Sequence, residues 1–181
     1  MRYVEMFSSE TQTIDDIRIA FRRAGDGPPL LLLHGFPQTN MMWHKIAPAL
    51  AEHFTVIAAD LRGYGDSSTP DSDAGHFPYA QRALAAYMVG LMRKLGHQRF
   101  MVAGHDRGGR VAHRMARDHA DRVDRVAVLD IAPTAAMYAQ TDMSFATAYY
   151  HWFFLIQPAP LPERMIGADP EFFLRSKCGQ W

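Results

Sequence analysis

Gly104-His105-Asp106-Arg107-Gly108 follows directly on the apolar run Phe100-Met101-Val102-Ala103 and opens a stretch of helical character. Small residues in this frame let a chain turn sharply from strand to helix, which leaves the central side chain exposed at the top of a sheet. Where serine at that position would attack an acyl carbon, aspartate attacks a carbon that bears a leaving group and becomes esterified. The ordinary alternative for such an Asp is a cap on the following helix. Arg107 and Arg110 stand three apart at the start of that helix. They project from neighbouring faces around Asp106. Two guanidiniums beside a helix N-terminus form a seat for a substrate carboxylate, because arginine stays charged and binds carboxylates through two donors. Bringing such a substrate up to Asp106 costs about 4 kcal/mol at roughly 4 Å and an effective dielectric near 20, so nearby positive charge has to cancel the repulsion.

Three further segments accompany the turn. Leu30-Leu31-Leu32-Leu33, read as a strand buried on both faces, ends in HGFPQT at 34–39. Thr55-Val56-Ile57-Ala58-Ala59 ends in DLRGYGDS at 60–67, and Arg125-Val126-Ala127-Val128-Leu129 ends in Asp130, within VLDIAPT at 128–134. With GHDRGGR at 104–110 and YHWFFLIQPAPLPE at 150–163, the chain resembles the α/β-hydrolase superfamily, most of all its fluoroacetate (haloacetate) dehalogenases.

That resemblance implies an α/β-hydrolase fold and hydrolysis of a haloacetate to glycolate and halide through an ester on Asp106. Asp130 matches the acid of a triad whose histidine lies in a later segment. Phe36 and Arg107 are expected to give backbone N–H groups to an oxyanion hole. His151 and Trp152 match a halide-binding pair, offering imidazole and indole N–H groups. None of the nine histidines, at 34, 44, 53, 76, 97, 105, 113, 119 and 151, occupies the place of the triad base, so the chain is expected to be truncated within the lid. Haloalkane dehalogenases and most epoxide hydrolases carry Trp where this chain has Arg107. Their substrates are neutral, so Arg107 favours an anionic one. Epoxide hydrolysis remains the second reading, kept open by Tyr149-Tyr150, and a non-catalytic fragment the third.

Elements to position these residues are legible around them. Runs of β-branched residues or leucine alternate with helical patterns, which implies a mostly parallel sheet covered on both faces. Tyr3–Phe7 and Ile17–Arg23 are expected as opening strands joined by a polar loop. Thr39 is placed to cap a helix carrying Met42, Trp43, Ile46 and Leu50, and Leu84, Met88, Leu91 and Leu95 form a second stripe ended by Gly96. Residues 1–134 are expected as the N-terminal part of the core. Residues 135–181, aromatic and punctuated by Pro158, Pro160 and Pro162, are expected as the beginning of a helical lid, with Phe153 and Phe154 packed on the sheet. Asp60 is read as part of a structural turn.

At 181 residues, 48% hydrophobic and with no net formal charge, the chain can bury one core and has no charge excess to favour nucleic acid or an anionic membrane. Cys178 is its only cysteine, read as an incidental thiol of a reducing compartment. No basic leader or membrane-length apolar run is present, so the cytoplasm is the expected location. Neither metal-ligand spacing nor a nucleotide-binding glycine pattern occurs. The expected partners are a small anionic haloacid and water, with no cofactor, and a homodimer is compatible with the sequence.

Overall fold

The computed structural model describes residues 3–73 and 75–178. Its elements run α1 (Tyr3–Met6), β1 (Ser8–Ile14), β2 (Ile17–Ala24), β3 (Pro29–Leu33), a 3₁₀ helix (Asn40–Lys45), α2 (Ala47–Ala51), β4 (Thr55–Ala59), a second 3₁₀ turn (Phe77–Tyr79), α3 (Gln81–Lys94), β5 (Phe100–His105), α4 (Arg107–Asp118) and β6 (Val123–Leu129). Five short helices follow: α5 (Thr134–Ala139), α6 (Met143–Ala148), α7 (Tyr150–Phe154), α8 (Leu161–Ala168) and α9 (Pro170–Cys178). The chain forms two compact units, Met1–Ile131 and Ala132–Trp181.

In the first unit six strands lie in the order β1-β2-β4-β3-β5-β6. The last four are mutually parallel, and β1 and β2 are antiparallel additions at one side. The leucine run of β3 is apolar throughout because it feeds two cores. Leu31 and Leu33 enter a cluster with Leu84, Met88, Leu91, Val111 and Met115 from α3 and α4. Leu30 and Leu32 enter the opposite cluster with Tyr3, Phe7, Trp43, Ala47 and Ala51. Successive strand residues point to opposite faces, so a strand covered on both sides cannot alternate with polar residues.

Three local expectations are corrected. Tyr3–Phe7 is not a strand: Tyr3–Met6 is a helical turn, and the Phe7 N–H donates to the Tyr3 carbonyl at 3.1 Å. Tyr3 and Phe7 stand four apart, a spacing that satisfies strand and helix alike, and their rings meet at 4.5 Å. The first strand is instead the polar stretch Ser8–Ile14, expected as a loop. It pairs with β2 from Ser8↔Arg23 to Ile14↔Ile17 and, largely exposed, needs no apolar pattern. The helix expected after Thr39 is broken in two: the Thr39 hydroxyl accepts from Met41 N–H at the head of the 3₁₀ helix, and α2 begins afresh at Ala47 with Pro48 in its first turn. Helix α3 is as expected, and Gly96, at φ 89°, turns the chain out of it.

The second unit is held by aromatic contacts. Trp152 meets Tyr138, Phe145 and Tyr149 at ring-centroid distances of 5.8, 6.0 and 5.9 Å. The Phe153 ring meets those of Tyr138 and Phe145, and the Phe154 ring meets that of Phe173. The Asp142 carboxylate caps α6 through Phe145 N–H at 2.7 Å. The side chain of Cys178 lies outside the described residues. Among the described residues no helix is long and apolar enough to cross a membrane.

Candidate active site

Strands β3 and β5 are neighbours in the sheet but not in the sequence. The strand order therefore reverses between them, and in open α/β sheets the crevice beyond the carboxyl ends at such a point is where ligands bind. The loop after β3 carries Phe36, and the turn after β5 carries Asp106.

Asp106 stands between β5 and α4 at φ 49° and ψ −116°, a conformation rarely adopted by a residue with a side chain. The surrounding glycines make the turn sterically feasible. A Cβ at Gly104 would lie 2.2 Å from the Gly108 carbonyl oxygen, and one at Gly108 would lie 2.3 Å from that of Leu33. A Cβ at Gly35 would lie 2.6 Å from Asp106 Cβ and 2.8 Å from its Oδ1. Gly35 thus lets the HGFP loop approach the carboxylate. Asp106 does not cap its helix: it makes no side-chain capping bond. Its Oδ1 instead accepts the Phe36 N–H at 2.9 Å, and among the described residues no hydrogen bond to Oδ2 is present.

The HGFP loop is itself pinned. His34 is fully buried, donates from Nδ1 to the Gly35 carbonyl at 2.8 Å and accepts the Leu61 N–H on Nε2 at 3.0 Å. Those partners require the neutral ring, because Nε2 has to accept. Burial accordingly pushes the His34 pKa below its ordinary value. Asp60 secures the loop's far end: Oδ1 accepts Asn40 N–H at 2.6 Å and Asn40 Nδ2–H at 2.9 Å, and Oδ2 accepts Asp66 N–H at 3.1 Å. The structural reading of that turn agrees with these bonds. Burial also raises the Tyr64 pKa, an effect that Arg107 opposes and Asp106 reinforces.

Arg107 is the first residue of α4, and its Nη2 donates to the Tyr79 carbonyl at 3.2 Å. Its Nε is buried, with no hydrogen-bond partner among the described residues. Arg110 lies one turn further on and is half-buried like Asp106 and Arg107. Asp130 follows β6 at φ 50°. The register His105↔Leu129 and the Asp106 N–H to Leu129 carbonyl bond of 3.1 Å place Asp106 and Asp130 just beyond the ends of adjacent strands. The Asp130 side chain is 89% exposed, with Oδ2 at 3.8 Å from His105 Nε2. His151 and Trp152 are consecutive residues of α7 in the second unit, both half-buried.

Three groups were not singled out from sequence. The Tyr79 carbonyl lies in a loop without periodicity, where a backbone acceptor leaves no signature. Gln38 Oε1 accepts the Gly35 N–H at 3.2 Å and lies 3.2 Å from His105 Nδ1. Its place inside HGFPQT was its only signal. His105 belongs to the Gly104–Gly108 motif, which carries no sign that its ring neighbours Asp130. No group of three His, Cys, Asp or Glu side chains able to hold a metal is present among the described residues.

A family model described as alpha/beta hydrolase fold matches residues 28–181. A fluoroacetate dehalogenase from Burkholderia sp is 51% identical over 177 residues, covering 98% of this chain and 58% of that protein. A soluble epoxide hydrolase from Corynebacterium sp. (strain C12) is 44% identical over 120 residues, 66% of this chain and 40% of that protein. A solved structure designated an alpha/beta hydrolase, from Nostoc sp PCC 7120, superposes with a TM-score of 0.92 at 60% identity, covering 95% of this chain and 59% of that one. The chain thus spans less than two thirds of the length of each of these relatives. With its sheet order, its strand-to-helix turn and a family model covering most of its residues, the chain belongs to the α/β-hydrolase fold family.

Proposed function

We propose that the chain carries the nucleophilic centre of a hydrolase that dehalogenates short 2-haloacids, converting haloacetate or fluoroacetate to glycolate and halide. One observation carries this reading: Asp106 has one oxygen tethered to Phe36 N–H and, among the described residues, no hydrogen bond on the other, beside an arginine anchored at the first position of the helix. Asp106 Oδ2 attacks the α-carbon as the carbon–halogen bond breaks, and the halide leaves with the bonding pair. The product is a carboxymethyl ester of Asp106. Arg107 and Arg110 hold the substrate carboxylate, which offsets its repulsion from the nucleophile. For the leaving halide, the ring N–H groups of His151 and Trp152 are the proposed donors on the strength of the sequence resemblance.

Hydrolysis of the ester adds water at Asp106 Cγ, and collapse of the tetrahedral intermediate expels glycolate and regenerates the carboxylate. Backbone N–H groups of Phe36 and Arg107 stabilise the oxyanion. The Phe36 N–H already points at the carboxylate, so little reorganisation is required. Asp130 orients the histidine that the resemblance assigns to water activation in a later segment.

Epoxide hydrolysis would use the same Asp106 on a neutral substrate, and the soluble epoxide hydrolase similarity supports it as the second reading. Mixing the chain with chloroacetate, fluoroacetate or styrene oxide separates the two. Stoichiometric halide release, abolished in Arg107→Leu with the circular dichroism spectrum unchanged, is the expected result. Diol or ester formation from styrene oxide with no halide release, or unaltered release in Arg107→Leu, would overturn the haloacid reading.

A further inference from the structure

Arg62 is only 3% exposed, yet no carboxylate pairs with it among the described residues. Its guanidinium carbon lies 3.9 Å from the centre of the Tyr87 ring, and Nη1 donates to the Pro78 carbonyl at 2.6 Å. Nε and Nη2 are buried with no hydrogen-bond partner among the described residues. A cation held in this way costs stability, since the ring and one carbonyl replace only part of its hydration. Such an exception to the usual rules of burial is expected where something else depends on the group.

What depends on it is one residue further along the chain. The carbonyls of Pro78 and Tyr79 are consecutive: Arg62 holds the first, and Arg107 donates to the second. The same short turn is fixed from two other directions. Gly63, at φ 83°, lets the Tyr79 ring sit where a Cβ would be 3.0 Å from Tyr79 Cε1, and the Tyr79 hydroxyl donates to the Pro70 carbonyl. We infer that Arg62 is a positioning residue for substrate recognition: by fixing the Pro78–Tyr79 carbonyls it sets the Arg107 guanidinium, and hence the affinity for the substrate carboxylate. The inference rests on the reading of Arg107 as the seat of that carboxylate.

The test compares an anionic and a neutral reagent of the same reactivity class. Alkylation of Asp106 by chloroacetate and by chloroacetamide is followed by mass spectrometry in the 181-residue chain, in Arg62→Met and in Arg62→Lys. Arg62→Met should raise the half-saturating chloroacetate concentration about tenfold, a shift of about 1.4 kcal/mol. The limiting rate and the reaction with chloroacetamide should be unchanged, and Arg62→Lys should recover part of the loss. Equal losses with both reagents, or no change with chloroacetate, would overturn the inference. If Arg62→Met loses the fold by circular dichroism, the two reagents are compared in Arg62→Lys, which keeps the buried charge, and the same outcomes decide. A second reading is independent of alkylation: exchange of the Arg107 guanidinium protons, measured by ¹⁵N NMR, should be about tenfold faster in Arg62→Met. Unchanged exchange contradicts the inference. Absence of Asp106 alkylation in the parent chain, with accelerated exchange in the variant, would instead sink the dehalogenase reading alone.

Discussion

Asp60 and Asp106 each follow a parallel strand at the carboxyl edge of the same sheet, and each is followed within two residues by an arginine, but their surroundings differ in kind. Asp60 is 1% exposed, and three N–H donors occupy its two oxygens. Asp106 is half-buried, with one donor on one oxygen among the described residues. The first carboxylate has its bonding capacity absorbed by the loops it ties together. The second keeps an oxygen available, and its backbone is held in a strained turn that presents it. Asp60 also serves Asp106: it anchors Asn40 at one end of the HGFP loop whose Phe36 N–H reaches Asp106 Oδ1 at the other. Position at a strand end therefore does not identify a nucleophile, whereas the count of donors around its oxygens separates the two.

The sharpest break between them is in what an amide does. Asp106→Asn should reduce alkylation by chloroacetate on the order of 10⁴-fold or more, with the urea midpoint unchanged, because the nucleophilic oxygen is weakened while the amide oxygen can still accept the Phe36 N–H. In Asp60→Asn an amide N–H₂ has to face at least one of the donors from Asn40 and Asp66. Urea denaturation should show a loss of about 3 kcal/mol there, and slower alkylation only as a consequence of the displaced HGFP loop. A fully stable Asp60→Asn, or an unfolded Asp106→Asn, would erase the distinction.

His34 gives the smaller, pH-dependent form of the contrast. Its ring is neutral in the folded chain, and its pKa is lowered from the ordinary 6.5, so the unfolded state binds the proton more readily. Its contribution to stability is fully present above pH 6.5 and falls as the pH drops toward the folded value. The slope of unfolding free energy against pH below 6.5 should be shallower in His34→Gln than in the parent chain. Equal slopes would mean that the ring is not held in its accepting tautomer.

How far the sequence discloses this arrangement depends on which groups carry it. β3 and β4 are legible because strands covered on both faces leave uninterrupted apolar runs, Leu30–Leu33 and Thr55–Ala59. β1 is not, because a polar edge strand satisfies its backbone on one side and asks little of its side chains. The glycine frame around Asp106 is legible because at Gly104 and Gly108 a Cβ would collide with backbone oxygens. The carbonyls of Pro78 and Tyr79, which receive Arg62 and Arg107, leave no trace in residue type, since every residue has one. Asp60 and Asp106 look alike as letters, and only their donors tell them apart.

The most direct test is a carboxylate map. The 181-residue chain is incubated with chloroacetate, quenched in acid, digested, and each Asp and Glu assayed for a carboxymethyl ester by tandem mass spectrometry. A single ester on Asp106, with Asp60 and Asp130 unmodified and the label lost in Arg107→Leu, is the expected result. An ester on Asp130 or spread over surface carboxylates, with Asp106 unmodified, would contradict the assignment of Asp106 as nucleophile.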